Sequence, residues 1–449
     1  MEKDRNTLVL YTTAVCNLKC VYCYIDKNPA LKKIDDILDE SFQGDYYFEF
    51  TKKMFPMRGQ LRRIETWGGE PFLRMDRVYH TLHRLIGYYP YLETMHSSTN
   101  CAFPEWCDQF FGLMAQFGKY PERDFTYDLQ LSLDGPEYIT DHGRGRGTTK
   151  KFLENYHKLL QRVGTELPSN VTLNVHFKPT LDLDTTRMLC DKQRIIEYYQ
   201  FFEQVLEPAF ELPYSNVHFY LPVPNTACPS PNTQEDGRTF TEFCRLCREI
   251  EDENRKGAGY FKHYKGITPF AGRQCGYCRS MRHPHHTCGT GRTVIGLLPF
   301  NMISACHNGF VDIISDYKAQ CTANGGESCL EFSAFLASQP TRMTMTLDEF
   351  ARYEKQVEHY ARMGTSARLA NIVELIHMEA YAGHIDPKYK DPEQALDAGL
   401  FLQGHTAYCM RDNYNVTGSV AMYPLGMIRL LLNGAREYIE QKEVCACGR

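Results

Sequence analysis

The sequence predicts an α/β fold: a partial (β/α)6, TIM-like barrel, then a cysteine-rich auxiliary-cluster domain and a helical tail. Three observations predict it. Six short apolar or alternating segments, at residues 8–12, 63–67, 94–99, 126–133, 171–179 and 216–222, read as strands. The stretches between them, with helical patterning near 46–54, 77–88, 106–117, 151–163 and 187–205, are long enough for crossover helices, which makes the strands parallel. After the sixth strand the pattern changes to a turn-rich linker and a cysteine-rich, strand-poor region.

At 449 residues the chain has room for two or three domains. The boundaries fall at 1–225 for the barrel, 226–340 for the cysteine-rich region and 341–449 for the helical tail. In the tail, Thr346 and Glu349 match a capping box, Phe350, Tyr353 and Val357 form one apolar stripe, and Gly364 is the expected stop. Further helical pattern lies near 370–381 and 424–441.

A composition of 43% hydrophobic and 23% charged residues is that of an ordinary globular chain. A net charge of -5 gives no basic surface for nucleic acid, so none is expected as a partner. No run approaches the ~20 apolar residues that span a bilayer, and the polar start carries no signal-peptide core, so the expectation is a cytoplasmic protein without a membrane partner. Eighteen cysteines are too few for a disulfide scaffold, yet they cluster, which in a reducing compartment suggests metal.

The first cluster, Cys16-Asn-Leu-Lys-Cys20-Val-Tyr-Cys23, follows the first strand. Three soft thiolates are one fewer than a four-iron cluster needs, which leaves one iron open to chelate the amine and carboxylate of a small ligand such as S-adenosylmethionine (SAM). A partial zinc site or three unrelated thiols is the structural alternative. The second strand ends in Thr66-Trp67-Gly68-Gly69-Glu70-Pro71, where paired glycines permit close backbone approach to a ligand and the carboxylate suits an ammonium group. After the third strand, Ser97-Ser98-Thr99-Asn100 offers hydroxyls and an amide, for a ligand or for a turn. The fourth runs into Ser132-Leu133-Asp134-Gly135-Pro136, then Asp141, Arg144 and Arg146. All four motifs follow strand ends, where barrels collect reactive groups.

The C-x-x-x-C-x-x-C spacing with Tyr22 before its last cysteine resembles the signature of the radical SAM superfamily. The resemblance implies that Cys16, Cys20 and Cys23 ligate a [4Fe-4S] cluster and that Tyr22 lies beside the adenine. It further implies that Gly68, Gly69 and Glu70 meet the methionine amino group; beside it, the hydroxyls and amide of Ser97, Thr99 and Asn100 are groups of a kind to reach the ribose or carboxylate, or to cap a helix or turn. The run from Ser132 through Asp134 to Arg144 is similar to that of the SPASM-containing subfamily, in which the serine and arginine help to hold SAM; Thr140 stands here where a histidine is usual.

Beyond residue 225, Cys275-Gly-Tyr-Cys278 with Cys288 and Cys306 supplies four thiolates, enough for an auxiliary [4Fe-4S] cluster or a structural zinc. Cys288 to Cys306 resembles the opening of a SPASM or twitch domain, with Asn301 in place of a glycine. Cys321, Cys329 and Cys409 are further candidate ligands, or ordinary thiols. Cys244 and Cys247, one helical turn apart, and Glu374 with His377 are weaker metal candidates, with helix packing as the plain alternative.

The resemblance implies reductive cleavage of SAM to a 5′-deoxyadenosyl radical that abstracts hydrogen from a peptide or protein and so oxidises or crosslinks it. An external flavodoxin- or ferredoxin-type electron donor is implied with it. A small-molecule dehydrogenase or epimerase of the same superfamily is the alternative, and a non-catalytic iron-sulfur or zinc scaffold a third. The sequence identifies no acid, base or radical-quenching residue.

Overall fold

Seven consecutive buried residues, Thr7–Thr13, form strand β1, and a parallel sheet grows outward from it. The computed structural model describes residues 5–23, 30–220, 225–226, 234–264, 294–299, 302–304, 344–348, 350–352, 354–355, 365–405, 428–429 and 432–433. It is a mixed α/β structure with a mostly parallel sheet. β2 (Arg63–Gly68), β3 (Thr94–Thr99), β4 (Phe125–Leu131) and β5 (Val171–Phe177) follow β1 in sequence order, each parallel to the one before. β6 (Thr180–Leu181) lies elsewhere, and β7 (Val217–Tyr220) pairs with β5.

The six expected strands are therefore present and parallel. The sheet also has strands that the sequence reading leaves out. β8 (Asn225–Thr226) pairs with β6 in a small separate sheet, whereas β9 (Val294–Leu298) lies parallel to β1 on the side away from β2. β10 (Met302–Ser304) and β11 (Thr344–Met345) extend it antiparallel, giving nine strands in the order β11-β10-β9-β1-β2-β3-β4-β5-β7.

Helices α1 (Ala30–Phe42), α2 (Tyr46–Met54), α3 (Val78–Tyr88), α4 (Trp106–Phe117), α5 (Glu137–Arg144) and α6 (Thr148–Glu166) occupy the crossovers. The two faces of the sheet differ because side chains alternate along each strand. Tyr127, Leu129 and Leu131 of β4, with Leu173, Val175 and Phe177 of β5, are buried. The aromatic rings of α4 and α6 pack there: Phe110 lies 5.9 Å from Tyr127 and Tyr156 5.3 Å from Phe177, ring centre to ring centre. The opposite face is polar and half-exposed. Parallel pairing sets Glu65, His96, Asp128, Asn174 and His218 side by side across five strands.

The chain divides into two compact units. The first, Met1–Lys178, Leu206–Pro222 and Gly289–Lys355, holds the nine-stranded sheet. The second comprises Pro179–Val205, Val223–Cys288 and Gln356–Arg449. It contains α7 (Leu183–Met188), most of α8 (Lys192–Phe210), α9 (Gln234–Glu253), α10 (Thr365–Tyr381) and α11 (Pro392–His405). Lys192 ties α8 to α9 through Glu249 and Glu253. Gly399 lets α10 and α11 approach, since a Cβ there would come within 2.9 Å of Val373. Cys244 and Cys247 are fully buried on α9, whereas Glu374 is exposed on α10. Among the described residues no helix is long and apolar enough to cross a membrane.

Candidate functional site

The loop Cys16–Cys23 leaves β1 at Thr13, and an ion network fixes its point of departure. Thr13 Oγ1 and Ala14 N both donate to Asp35 of α1 (2.5 and 3.1 Å). Arg77, almost wholly buried, donates to the same carboxylate at 2.8 and 3.0 Å, to Asp39 at 2.6 Å and to the Thr12 carbonyl at 2.8 Å. Sequence spacing gave no hint of Asp35 or Arg77, which come from two different crossovers.

On its other side the loop is zipped to the end of β2. Gly69 N donates to Thr13 O (2.8 Å) and Glu70 N to Val15 O (2.9 Å). A Cβ on Gly68 or Gly69 would stand 2.1 Å from the carbonyl oxygen of Thr13 or Val15. The paired glycines thus admit the backbone of the cysteine loop itself, where the sequence reading has them admit a ligand. Gly68 also takes a positive φ of 139°, which favours glycine independently.

Glu70 is buried. Its carboxylate accepts from Asn100 N and Thr99 Oγ1 (both 2.7 Å) and from Phe72 N (3.2 Å). Burial outweighs those bonds and pushes its pKa up to about 7. Thr99 also accepts from Trp106 Nε1 at 2.8 Å, and Asn100 Nδ2 reaches Asn17 Oδ1 at 2.8 Å and Cys16 Sγ at 3.7 Å. Cys16 Sγ takes a second donor, Leu18 N, at 3.4 Å.

The far half of the loop meets the end of β4. Val21 N donates to Gly143 O (2.8 Å), and a Cβ on Gly143 would press within 2.9 Å of the Tyr22 ring. The Tyr22 hydroxyl donates to Asp134, which Arg144 also grips through Nε (2.7 Å) and Nη2 (2.8 Å). The Arg144 guanidinium lies 5.6 Å from the Tyr22 ring centre. Arg144 is buried and Arg146 exposed. Thr140, at the usual histidine position, closes the turn by bonding both Gly135 N and Gly135 O. Asp141 accepts from Gly147 N, Thr149 N and Thr149 Oγ1, and so ties down the start of α6.

Two clusters of expected residues therefore flank one loop: Cys16 with Glu70, Thr99 and Asn100, and Cys20 with Tyr22, Asp134 and Arg144. Ser97 stands apart, its hydroxyl turned into the core between Thr66 Oγ1 and Tyr127 OH, each 2.5 Å away. Ser132 is half-buried on the polar face. Cys275, Cys278, Cys288, Cys306, Cys321, Cys329 and Cys409 lie outside the described residues.

Burial raises the Cys16 thiol to about 12, with Glu70 adding to the effect. It raises Cys20 to about 11 against the pull of Arg144. Among the described residues no three His, Cys, Asp or Glu side chains converge closely enough to hold a metal ion. The donor chemistry nevertheless suits a soft metal cluster: three thiols on one loop, with N–H donors already directed at Cys16 Sγ. Glu70 suits a cationic group, since the three donors it accepts from are all uncharged. Neither a scan of protein-family models nor a search of curated proteins finds a match to this chain.

Proposed function

We propose that the chain is a radical SAM enzyme, with a [4Fe-4S] cluster on Cys16, Cys20 and Cys23 and the sheet curled into a partial barrel, polar face inward. The observation that carries this reading is positional. The motifs after β1, β2, β3 and β4 all stand at the C-terminal ends of adjacent parallel strands, and three of them touch the cysteine loop directly through Glu70, Asn100 and the 134–144 segment.

Held by Cys16, Cys20 and Cys23, the cluster would supply an electron, taken from an external donor, for reductive cleavage of the SAM sulfonium and so radical abstraction of hydrogen from the substrate. The remaining roles belong to the chain. Asn100 Nδ2 and Leu18 N stabilise the Cys16 sulfur as a thiolate. Glu70 would accept a hydrogen bond from the N–H of the SAM amino group, whose lone pair is taken by the open iron. Asp134 holds Arg144 and Tyr22 in one orientation beside Cys20. Cys275, Cys278, Cys288 and Cys306 hold an auxiliary cluster in this reading, and the substrate is a peptide or protein that is oxidised or crosslinked. A small polar substrate is the second reading, favoured by the polar sheet face.

The test is anaerobic reconstitution with iron and sulfide, then SAM and dithionite. Wild type is expected to release 5′-deoxyadenosine and a Cys16/Cys20/Cys23→Ala variant none. A wild-type protein that loads iron and releases none overturns the proposal.

A further inference from the structure

Among the described residues outside glycine, Cys101 alone has a positive φ, 54°. A side chain disfavours that region, so a residue found there is held by its surroundings. Asn155 of α6, 3% exposed, donates from Nδ2 to the Cys101 carbonyl at 2.9 Å and to the Phe103 carbonyl at 2.7 Å. Thr99 Oγ1 accepts from Cys101 N at 3.1 Å. Asn155 belongs to none of the four motifs and reaches this turn from 54 residues further along the chain.

The turn decides which way the Asn100 amide faces. Ala102 N donates to Asn100 Oδ1 at 2.9 Å, and an amide whose oxygen is taken on one side presents its nitrogen to the other. That nitrogen reaches Asn17 Oδ1 at 2.8 Å and Cys16 Sγ at 3.7 Å, one hydrogen for each. Asn17 Nδ2 in turn donates to the Ala102 carbonyl at 3.2 Å. If residue 101 left the left-handed region, Ala102 N would be carried away from Oδ1. Asn100 would then be free to rotate and to set its oxygen against the sulfur, which no longer receives its N–H.

We propose that Asn155 is a positioning residue of the cysteine loop: by holding the turn 101–103 in its strained form, it keeps the Asn100 amide directed at Asn17 and Cys16. Its side chain bonds the turn and leaves the contact with the loop to Asn100. That the sulfur so addressed belongs to a cluster rests on the radical SAM reading; the hold on turn and loop does not. Hydrogen bonds to the sulfurs of a cluster favour its reduced, more negative state, so under that reading Asn155 raises the midpoint potential.

The test begins on the full-length apoprotein, with glycine and alanine compared at position 101. Both remove the thiol, so the difference between them reports the backbone. Cys101→Gly is expected to resist urea better than Cys101→Ala, by roughly threefold in the unfolding equilibrium constant. In an Asn155→Leu background, which fills the space but donates nothing, the turn should relax and the order reverse, since alanine is the better residue outside the left-handed region. Hydrogen exchange of the Asn155→Leu protein, read by mass spectrometry, should rise about tenfold in peptides covering 14–18 and 100–103, with those covering β4 and residues 21–23 unchanged. After reconstitution, Asn155→Leu should lower the midpoint potential of the cluster, leaving about fivefold less of the reduced form at a fixed solution potential, and Asn100→Ala should lower it as far.

An Asn155→Leu protein in which glycine still outranks alanine overturns the proposal. So does faster exchange spread evenly over the sheet, which would make Asn155 a packing residue only, and a midpoint potential that stays at the wild-type value overturns the link to Cys16. If Asn155→Leu fails to fold, Asn155→Ser, which keeps one donor, goes through the same series and should fall between the two. A wild-type protein that loads no iron sinks the functional reading and leaves the urea and exchange results to decide this proposal. One that releases 5′-deoxyadenosine while glycine and alanine keep their order sinks only this proposal.

Discussion

Arg144 grips Asp134 through two parallel hydrogen bonds, at 2.7 and 2.8 Å, with both side chains more than nine-tenths buried. The guanidinium that the resemblance has help to hold SAM is thus engaged by a carboxylate of the chain itself. Removing one partner leaves the other buried and uncompensated, so Asp134→Leu is expected to cost about 3–5 kcal/mol of unfolding free energy. Arg144→Met with Asp134→Leu should restore most of it. Urea unfolding checks both. An Asp134→Leu protein of wild-type stability would mean that the arginine is held for something else.

Gly69→Ala drives a Cβ into the Val15 carbonyl, and backbone cannot step aside as a side chain can. The expected loss is about 3 kcal/mol together with reduced iron loading. Gly164→Ala is the matched control. Its Cβ meets only the ring end of a half-exposed Tyr214, and alanine favours the helix, so stability should stay within about 1 kcal/mol of wild type.

His96 supplies a pH signature. Burial lowers its pKa from the ordinary 6.5 to about 4, so on acidification the unfolded chain takes up the proton first. The stability from keeping this ring neutral is present above pH 6.5 and falls away as pH drops toward 4. Between pH 7.5 and 4.5 wild type should lose about 2–3 kcal/mol more than His96→Phe does. Parallel pH curves for the two proteins would contradict the assignment.

The proposed auxiliary cluster predicts a second iron inventory. After anaerobic reconstitution, Cys16/Cys20/Cys23→Ala protein is expected to keep about four irons. Retention of none would make the Cys275 to Cys306 group a zinc or structural set and favour redox-neutral chemistry.

The sequence made some of this legible and hid the rest for physical reasons. The six strands were readable because alternation such as Thr126 to Leu131 has the period of a half-buried strand. β9 was not: Val294–Leu298 is a short apolar run within a cysteine-rich, turn-rich stretch, and nothing local tells it to join β1. The candidate site followed the same division. The cysteine spacing was plain, but pairs such as Tyr22 with Asp134, 112 residues apart, exist only once the strands are in register. Glu65, Asp128 and Asn174 each stood on an evident strand. Their alignment in one row did not.

β1 carries the cysteine loop at its end and has a neighbour on each side, and the two are synthesised far apart in time. β2 begins at Arg63, but β9 begins only at Val294. A chain that has made β2 but not yet β9 therefore holds one edge of β1 open, its N–H and C=O groups unpaired, while the long stretch between them is added. Closing so long a loop adds little to the entropic cost, which grows only with the logarithm of length, but it delays completion. The strand that positions the cysteines is begun first and finished late, so substitutions in β9 should act on the yield of folded protein as well as on its stability.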